Sequence, residues 1–456
     1  MNGKPKALMA GQRQGQPILL AAAILLGFLT VQAGQFVDGG QRLEFAAASL
    51  AHGAIYLAAV VAVLRWPGGR CSLGVILLTA VALRLMSIGA PPYLSSDVFR
   101  YVWDGRLGWE GISPYLYVPA DNELIRFRDT AIYPYINQKE HAVTIYPPVA
   151  QWTFMTGVAI QDGVAGMKAV MALFEAVTVV ALIGWLRAEG LPASRVLIYA
   201  WHPLPIWEFS SQAHLDAAAT ALLALGIWAA VQKRQGLTGA LFACAALIKY
   251  FPVVLLPALW RRWDWKLPAA LVATMAALYL PYAGEAGSDV FGFLGQHLGN
   301  EGYKAGYGFH AVWLLRDFKI ADPPGWLYIA FALAAIFAIA LWAVFGRGKA
   351  EFRPERLTLL GAAFVFLTSP HYPWYFGFLC ALAVRYPHPA LLTMTVTSVV
   401  LYLNRVGGHT WTDLYGLVYV LPLVVWAVWE AAIRVYPAAS RLNQLWLRPD
   451  MAQTKL

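Results

Sequence analysis

Charge is scarce in this sequence: Asp, Glu, Lys and Arg together make up 13% of 456 residues, about half the share in an ordinary soluble domain. With 59% hydrophobic residues, that scarcity excludes a water-soluble globule. Cysteine is almost missing. Cys71, Cys244 and Cys380 stand far apart, with neither the spacing of metal ligands nor the even count of a disulfide framework, which argues against redox chemistry. Close internal repeats, low-complexity tracts and a glycine-rich nucleotide loop are also lacking. The net charge of +9 does not point to nucleic acid, because the basic residues sit in short clusters between apolar runs rather than along one arm or helix face.

What the chain has is apolar runs. Segments of about 17 to 25 residues, each able to cross a hydrocarbon core roughly 30 Å thick, recur from Pro17 almost to Tyr436. They predict an all-α, polytopic membrane protein of about 12 to 14 segments, several of them broken or half-length, forming one domain over residues 1–456. Lys4, Lys6 and Arg13 precede the first run; a cleaved signal peptide is the alternative, but the run is longer than a usual signal core of about 7 to 15 residues.

Short basic loops orient such a chain, because Lys and Arg are retained on the cytoplasmic side. With the N-terminus inside, the helix from Ser72 to Ala90 exits and delivers a long polar loop, residues 91–148, to the outside. Lys233-Arg234 and Arg261-Arg262 both read as cytoplasmic, yet only one ordinary span fits between them. Residues 236–260 must then enter and return as two short helices broken at Lys249-Tyr250-Phe251-Pro252. Similar breaks are expected from Glu208 to Asp216 and from Ser369 to Tyr375. Such breaks are tolerated at membrane depth only where protein or a water-filled cavity covers the backbone.

Five polar constellations thereby share one side: the long loop, Glu208 to Asp216, Lys249, Ser288 to His310, and Ser369 to Tyr375 with Asn404 to Trp411. Ionisable groups at membrane depth are costly, which makes them functional or paired. In the loop, Asp97, Arg100, Tyr101 and Asp104 fall at i, i+3, i+4 and i+7, one face of a helix. They read either as an interfacial helix laced by contacts from Asp97 to Arg100 or Tyr101, or as a tuned general base held among arginines.

Three blocks of the loop carry a family resemblance: Ser96-Asp97-Val98-Phe99-Arg100-Tyr101-Val102-Trp103-Asp104-Gly105-Arg106, Gly111-Ile112-Ser113-Pro114-Tyr115, and Thr144-Ile145-Tyr146-Pro147-Pro148-Val149-Ala150-Gln151. With Trp201-His202-Pro203, His214-Leu215-Asp216, Lys249-Tyr250-Phe251-Pro252 and Ser369-Pro370-His371-Tyr372-Pro373-Trp374-Tyr375, they resemble GT-C glycosyltransferases, and among these the bacterial mannosyltransferase-like members of family 87. The likeness covers most of the chain. It implies a GT-C-like fold and transfer of one sugar, mannose first, from a polyprenyl-phosphate carrier to a lipid-linked or polymeric acceptor on the outer face of a bacterial inner membrane. It also implies an aspartate base in the first external loop, at the position of Asp97. Many relatives carry two adjacent acids there; Ser96 replaces the first, which weakens the case for a metal.

Transfer to a hydroxyl needs a carboxylate to take the proton and cations to hold the departing phosphate. Lys249, Arg405 and His371 are the phosphate candidates, Lys249 reading equally as a snorkelling lysine and His371 as a structural histidine. Asp104, Arg100, Tyr101, Tyr146, Glu208, His214, Asp216, Trp374, Tyr375 and Trp411 are the candidates for acceptor or sugar contact. Asp104 with Arg106 is expected to position the loop, Tyr146-Pro147-Pro148 to fix its return, and Glu208, His214 and Asp216 to close their helix break. No metal and no cofactor is expected. A lipid or solute transporter and a ligase of lipid diphosphate-linked glycans are the rival readings; a transporter favours inverted repeats, which the sequence does not display.

Overall fold

Long apolar helices alternate with helices too short to cross a bilayer in the computed structural model, which describes residues 4–67, 70–293, 299, 302–346, 352–406, 411–437 and 439–440. Among the described residues all regular structure is helical. Among the described residues, six helices are long and apolar enough to cross a membrane: Gly15–Asp38, Arg42–Arg65, Val164–Ala188, Lys266–Phe291, Gly325–Phe345 and Asp413–Val435. The interrupted pair Pro203–Ser211 and Asp216–Val231 brings the number to seven if it counts as one span. The remaining apolar helices, such as Gln235–Ala246 and Pro373–Ala383, are half-length, which accounts for the larger segment count expected from the runs.

Lipid is the solvent these helices require. Only 6% of the apolar window in Lys266–Phe291 is buried, and Leu280, Phe331 and Phe337 show most of their surface. Unburied apolar faces of that extent fit a bilayer and not water. The protein is a multi-pass membrane protein.

The chain forms two compact units. The first takes the residues up to Pro91, Val179–Ser211, and the chain from Tyr372 onward. Its helices Lys4–Asp38, Arg42–Arg65 and Arg70–Ser87 pack on one another. Beside them runs the broken stretch Ala193–Ser211, whose prolines explain its form. Pro205 has no N–H for the carbonyl of Trp201, and the Leu204 N–H turns to His202 Nδ1. The carbonyls so released are met from neighbouring helices: Tyr56 donates to Ile198 O at 2.7 Å, Arg84 to Ala200 O at 2.7 Å, and His52 Nε2 lies 3.3 Å from Trp201 O. Buried backbone groups are seldom left unpaired, and here side chains replace the missing helical bonds. A π-helix, Ile206–Ser211, follows.

The second unit takes Pro92–Thr178 and Gln212–His371. Here the helix Asp97–Trp109 lies against Pro148–Ile160, and Gln235–Ala246 lies against both Asp216–Val231 and Lys266–Ala286. Gly105 permits the first of these contacts, since a Cβ there would stand 2.6 Å from Phe154 O, a backbone atom. Gly105→Ala is therefore expected to force the two helices apart and cost about 1 to 3 kcal/mol, read as a lower unfolding midpoint of the detergent-solubilised protein.

The expected breaks occur. Helices end at Ser211, Ala246 and Thr368 and resume after short irregular or 3-10 segments. The run after the loop is likewise a short helix, Pro148–Ile160, followed by a long one, Val164–Ala188.

Candidate functional site

The second unit gathers residues from three separate sequence regions. The loop helix begins at Asp97, where a carboxylate favours the positive end of the helix dipole. Just before it, the Leu94 N–H donates to Gln212 Oε1 at 3.0 Å, tying the loop to the break that carries His214 and Asp216. Ala213 in that break adopts φ +60°, a left-handed conformation uncommon for a residue with a Cβ, and it turns the chain into His214. Opposite, the N–H groups of Val149 and Ala150 both donate to Leu247 O at 3.1 Å. The exposed donors of one helix start thus cap the end of another, and the loop's return is fixed beside Lys249.

Asp97 is the accessible carboxylate of this group. Its side chain is 22% exposed and its Oδ2 lies 4.0 Å from His214 Nδ1. Asn137, from the far limb of the loop, donates through Nδ2 to Asp97 Oδ1 at 3.1 Å. Nothing in the sequence pointed to Asn137, because forty residues separate the two partners and no periodicity links them. Lys249 has no carboxylate close to it in sequence; the fold supplies one, and its Nζ donates to Asp216 Oδ2 at 2.5 Å. The lysine side chain keeps 14% exposure and the aspartate 3%.

Arg100, Tyr101 and Asp104 occupy the buried face of the loop helix. Arg100 Nε donates to Asp104 Oδ1 at 2.7 Å and its Nη1 to Ala142 O at 2.9 Å. Thr144 Oγ1 donates to Asp104 Oδ2 at 2.6 Å, and Gln151 Nε2 reaches both Thr144 Oγ1 and Tyr146 O. These bonds stitch the outgoing limb of the loop to its return. Burial pushes the Asp104 carboxyl above its ordinary range, against the opposing pull of Arg100 and Thr144. Arg106 binds elsewhere, to Asp129 at 2.6 Å and Asp162 at 2.7 Å. On a helix, residues two apart point to different sides, so Asp104 turns inward to Arg100 and Arg106 outward.

Tyr101 stacks on Phe154 with centroids 4.6 Å apart, and Tyr146 meets both rings edge-on. Burial raises the Tyr101 phenol well above its usual pKa, with Tyr146, Asp97 and Asp216 adding to the shift, so it stays protonated. Burial, together with the Asp97 charge, does the same for Tyr146. Buried as they are, Arg100, Tyr101 and Asp104 fasten the helix that begins at Asp97 to the return of the loop. Asp104→Ala would leave Arg100 buried without its carboxylate, and a stability loss of about 3 to 5 kcal/mol is expected, measurable by thermal unfolding.

The other candidates make contacts of their own. His371 Nε2 is 3.0 Å from Gly308 O, and its ring stacks on Tyr303. His310 Nδ1 meets Ser369 Oγ at 2.7 Å nearby. Glu208, Trp374 and Tyr375 belong to the first unit. Glu208 is buried and accepts from Tyr402 Oη at 2.7 Å. Trp374 is buried against Tyr372, with ring centroids 4.6 Å apart, and Tyr375 tilts beside it. The side chains of Arg405 and Trp411 lie outside the described residues. No group of three or more His, Cys, Asp or Glu suited to a metal ion occurs among the described residues.

An accessible carboxylate thus stands at the head of a buttressed loop helix in a multi-pass membrane chain whose described regular structure is all helical. The model of the alpha-(1->6)-mannopyranosyltransferase family, N-terminal domain, matches residues 28–264, just over half the chain, and the protein belongs to that family. It is a membrane mannosyltransferase. The match includes Asp97, Asn137, His214, Asp216 and Lys249. No curated protein and no solved structure matches the chain.

Proposed function

We propose that the protein transfers a single mannose from a polyprenyl-phosphate carrier to a hydroxyl of a lipid-linked or polymeric acceptor, on the outer face of a bacterial inner membrane, with Asp97 as general base. The observation that carries this reading is the placement of Asp97. It is reachable from solvent, accepts a hydrogen bond from Asn137, and approaches His214 in the helix break whose Asp216 binds Lys249.

The acceptor hydroxyl gives its proton to Asp97 as its oxygen attacks the anomeric carbon, and the bond to phosphate breaks on the opposite side. One displacement inverts the anomeric centre, so an alpha-(1->6) product of the kind in the family's name requires a β-linked mannosyl phosphate. The Lys249 ammonium has three donor hydrogens, so it can keep Asp216 and still meet a phosphate oxygen. The clusters Lys233-Arg234 and Arg261-Arg262, retained inside by the positive-inside rule, support an outward position for the intervening Lys249.

Membranes containing the protein, given labelled mannosyl polyprenyl phosphate, are expected to mannosylate an added oligomannoside acceptor with inverted configuration. With a nucleoside-diphosphate mannose as sole donor, and no polyprenyl phosphate present, no product is expected. Efficient transfer from the nucleotide sugar, or a product of retained configuration, would overturn the reading.

A further inference from the structure

The segment that supplies Asn137 also carries an open aromatic face. Tyr135 is 56% exposed and stacks on Phe99, with centroids 5.0 Å apart and planes 29° from parallel. Phe99 lies in the first turn of the helix that begins with Asp97. Between them, Ile136 is buried and pins the segment down. Gln138, directly after Asn137, takes φ +53°, a conformation that a non-glycine residue adopts only where its surroundings impose it. The chain therefore crosses the helix start with Tyr135 resting on Phe99 and Asn137 on Asp97.

Two residues of extended chain span about 7 Å, roughly the length of one sugar unit. An acceptor whose hydroxyl reaches Asp97 would lay its next sugar over Tyr135. The hydroxyl-poor face of a hexose is apolar, and an aromatic ring held flat by a second ring is a suitable partner for it. Asn137, Gln138 and Glu140, which follow Tyr135, are exposed and polar, which argues for a glycan rather than a lipid tail.

We propose that Tyr135, backed by Phe99, is the platform of an acceptor-glycan subsite one sugar away from the reacting hydroxyl. The proposal rests on Asp97 being the base, and its test separates the two.

The full-length protein in detergent is assayed with alpha-(1->6)-linked mannosides of one, two and three units, as wild type, Tyr135→Ala and Tyr135→Phe. The wild type should show an acceptor KM at least tenfold lower for two units than for one. Tyr135→Ala should lose that gain while keeping kcat within twofold and the donor KM unchanged, and Tyr135→Phe should restore it. A Tyr135→Ala protein with the wild-type KM series overturns the subsite, as does one whose loss falls on kcat or on the donor KM. Trimannoside titration followed by calorimetry reads binding without turnover. If binding depends on Tyr135 while transfer is absent, the donor and base reading fails and the platform stands; if transfer proceeds and binding ignores Tyr135, the platform alone fails.

Discussion

Asp97→Asn is expected to lower kcat for mannosyl transfer by about 10² to 10⁴-fold, the usual contribution of a positioned general base, with little change in the KM of either substrate. The substitution is nearly isosteric. An amide carbonyl can still accept from Asn137, and the helix start loses only a favourable charge worth about 0.3 to 1 kcal/mol, so folding should persist. Unchanged turnover by a folded Asp97→Asn protein would remove the base assignment. A companion substitution reports on the same carboxyl by another route. Asn137→Asp sets a second carboxylate where the amide stood, 3.1 Å from Asp97 Oδ1. Like charges so close favour the protonated form and raise the pKa, so the acidic limb of the pH–rate profile should move to higher pH. A profile that does not move would mean that Asn137 sets neither the orientation nor the ionisation of the catalytic group.

The second large effect concerns Lys249. Lys249→Met removes the partner of an aspartate whose side chain is only 3% exposed, and breaking a buried pair from one side costs about 3 to 5 kcal/mol. A lower unfolding midpoint is therefore expected together with lost activity, and the single variant cannot separate the two. The double variant Lys249→Met, Asp216→Leu does so. Replacing a whole buried pair by apolar groups is often neutral or stabilising, so its unfolding midpoint should return towards the wild type. Transfer should stay depressed by about 10²-fold if Lys249 steadies the departing phosphate, the scale on which a single positioned donor to a developing charge acts. Recovery of transfer in the double variant would make the pair purely structural.

Pattern and chemistry along the chain were enough for some features and silent on others. The breaks at Glu208 to Asp216, Lys249 to Pro252 and Ser369 to Tyr375 were legible because basic pairs and prolines stand where a continuous span would forbid them. The loop helix was legible from its i, i+3, i+4, i+7 spacing, and the structure starts it at Asp97. Pairing was not legible. Arg106 lies beside Asp104 in sequence, yet Asp104 binds Arg100 and Thr144 while Arg106 binds Asp129 and Asp162. Which neighbour a charged side chain meets depends on where its helix face points once packed.

By itself, then, the sequence determined an all-helical membrane chain and the location of its polar interruptions, which follow from local composition and helical period acting over a few residues, while the family resemblance of the loop pointed to Asp97. Tertiary structure decided that Asn137 holds Asp97, that Asp216 holds Lys249, and that Arg100, Tyr101 and Asp104 turn inward as support. Those contacts join positions 33 and 40 residues apart for Lys249 and Asn137, and no local rule reaches that far: the docking of the Pro148–Ile160 helix onto the end of Gln235–Ala246, through Leu247, and the Leu94–Gln212 bond tie the loop to the segments that carry Lys249 and Asp216.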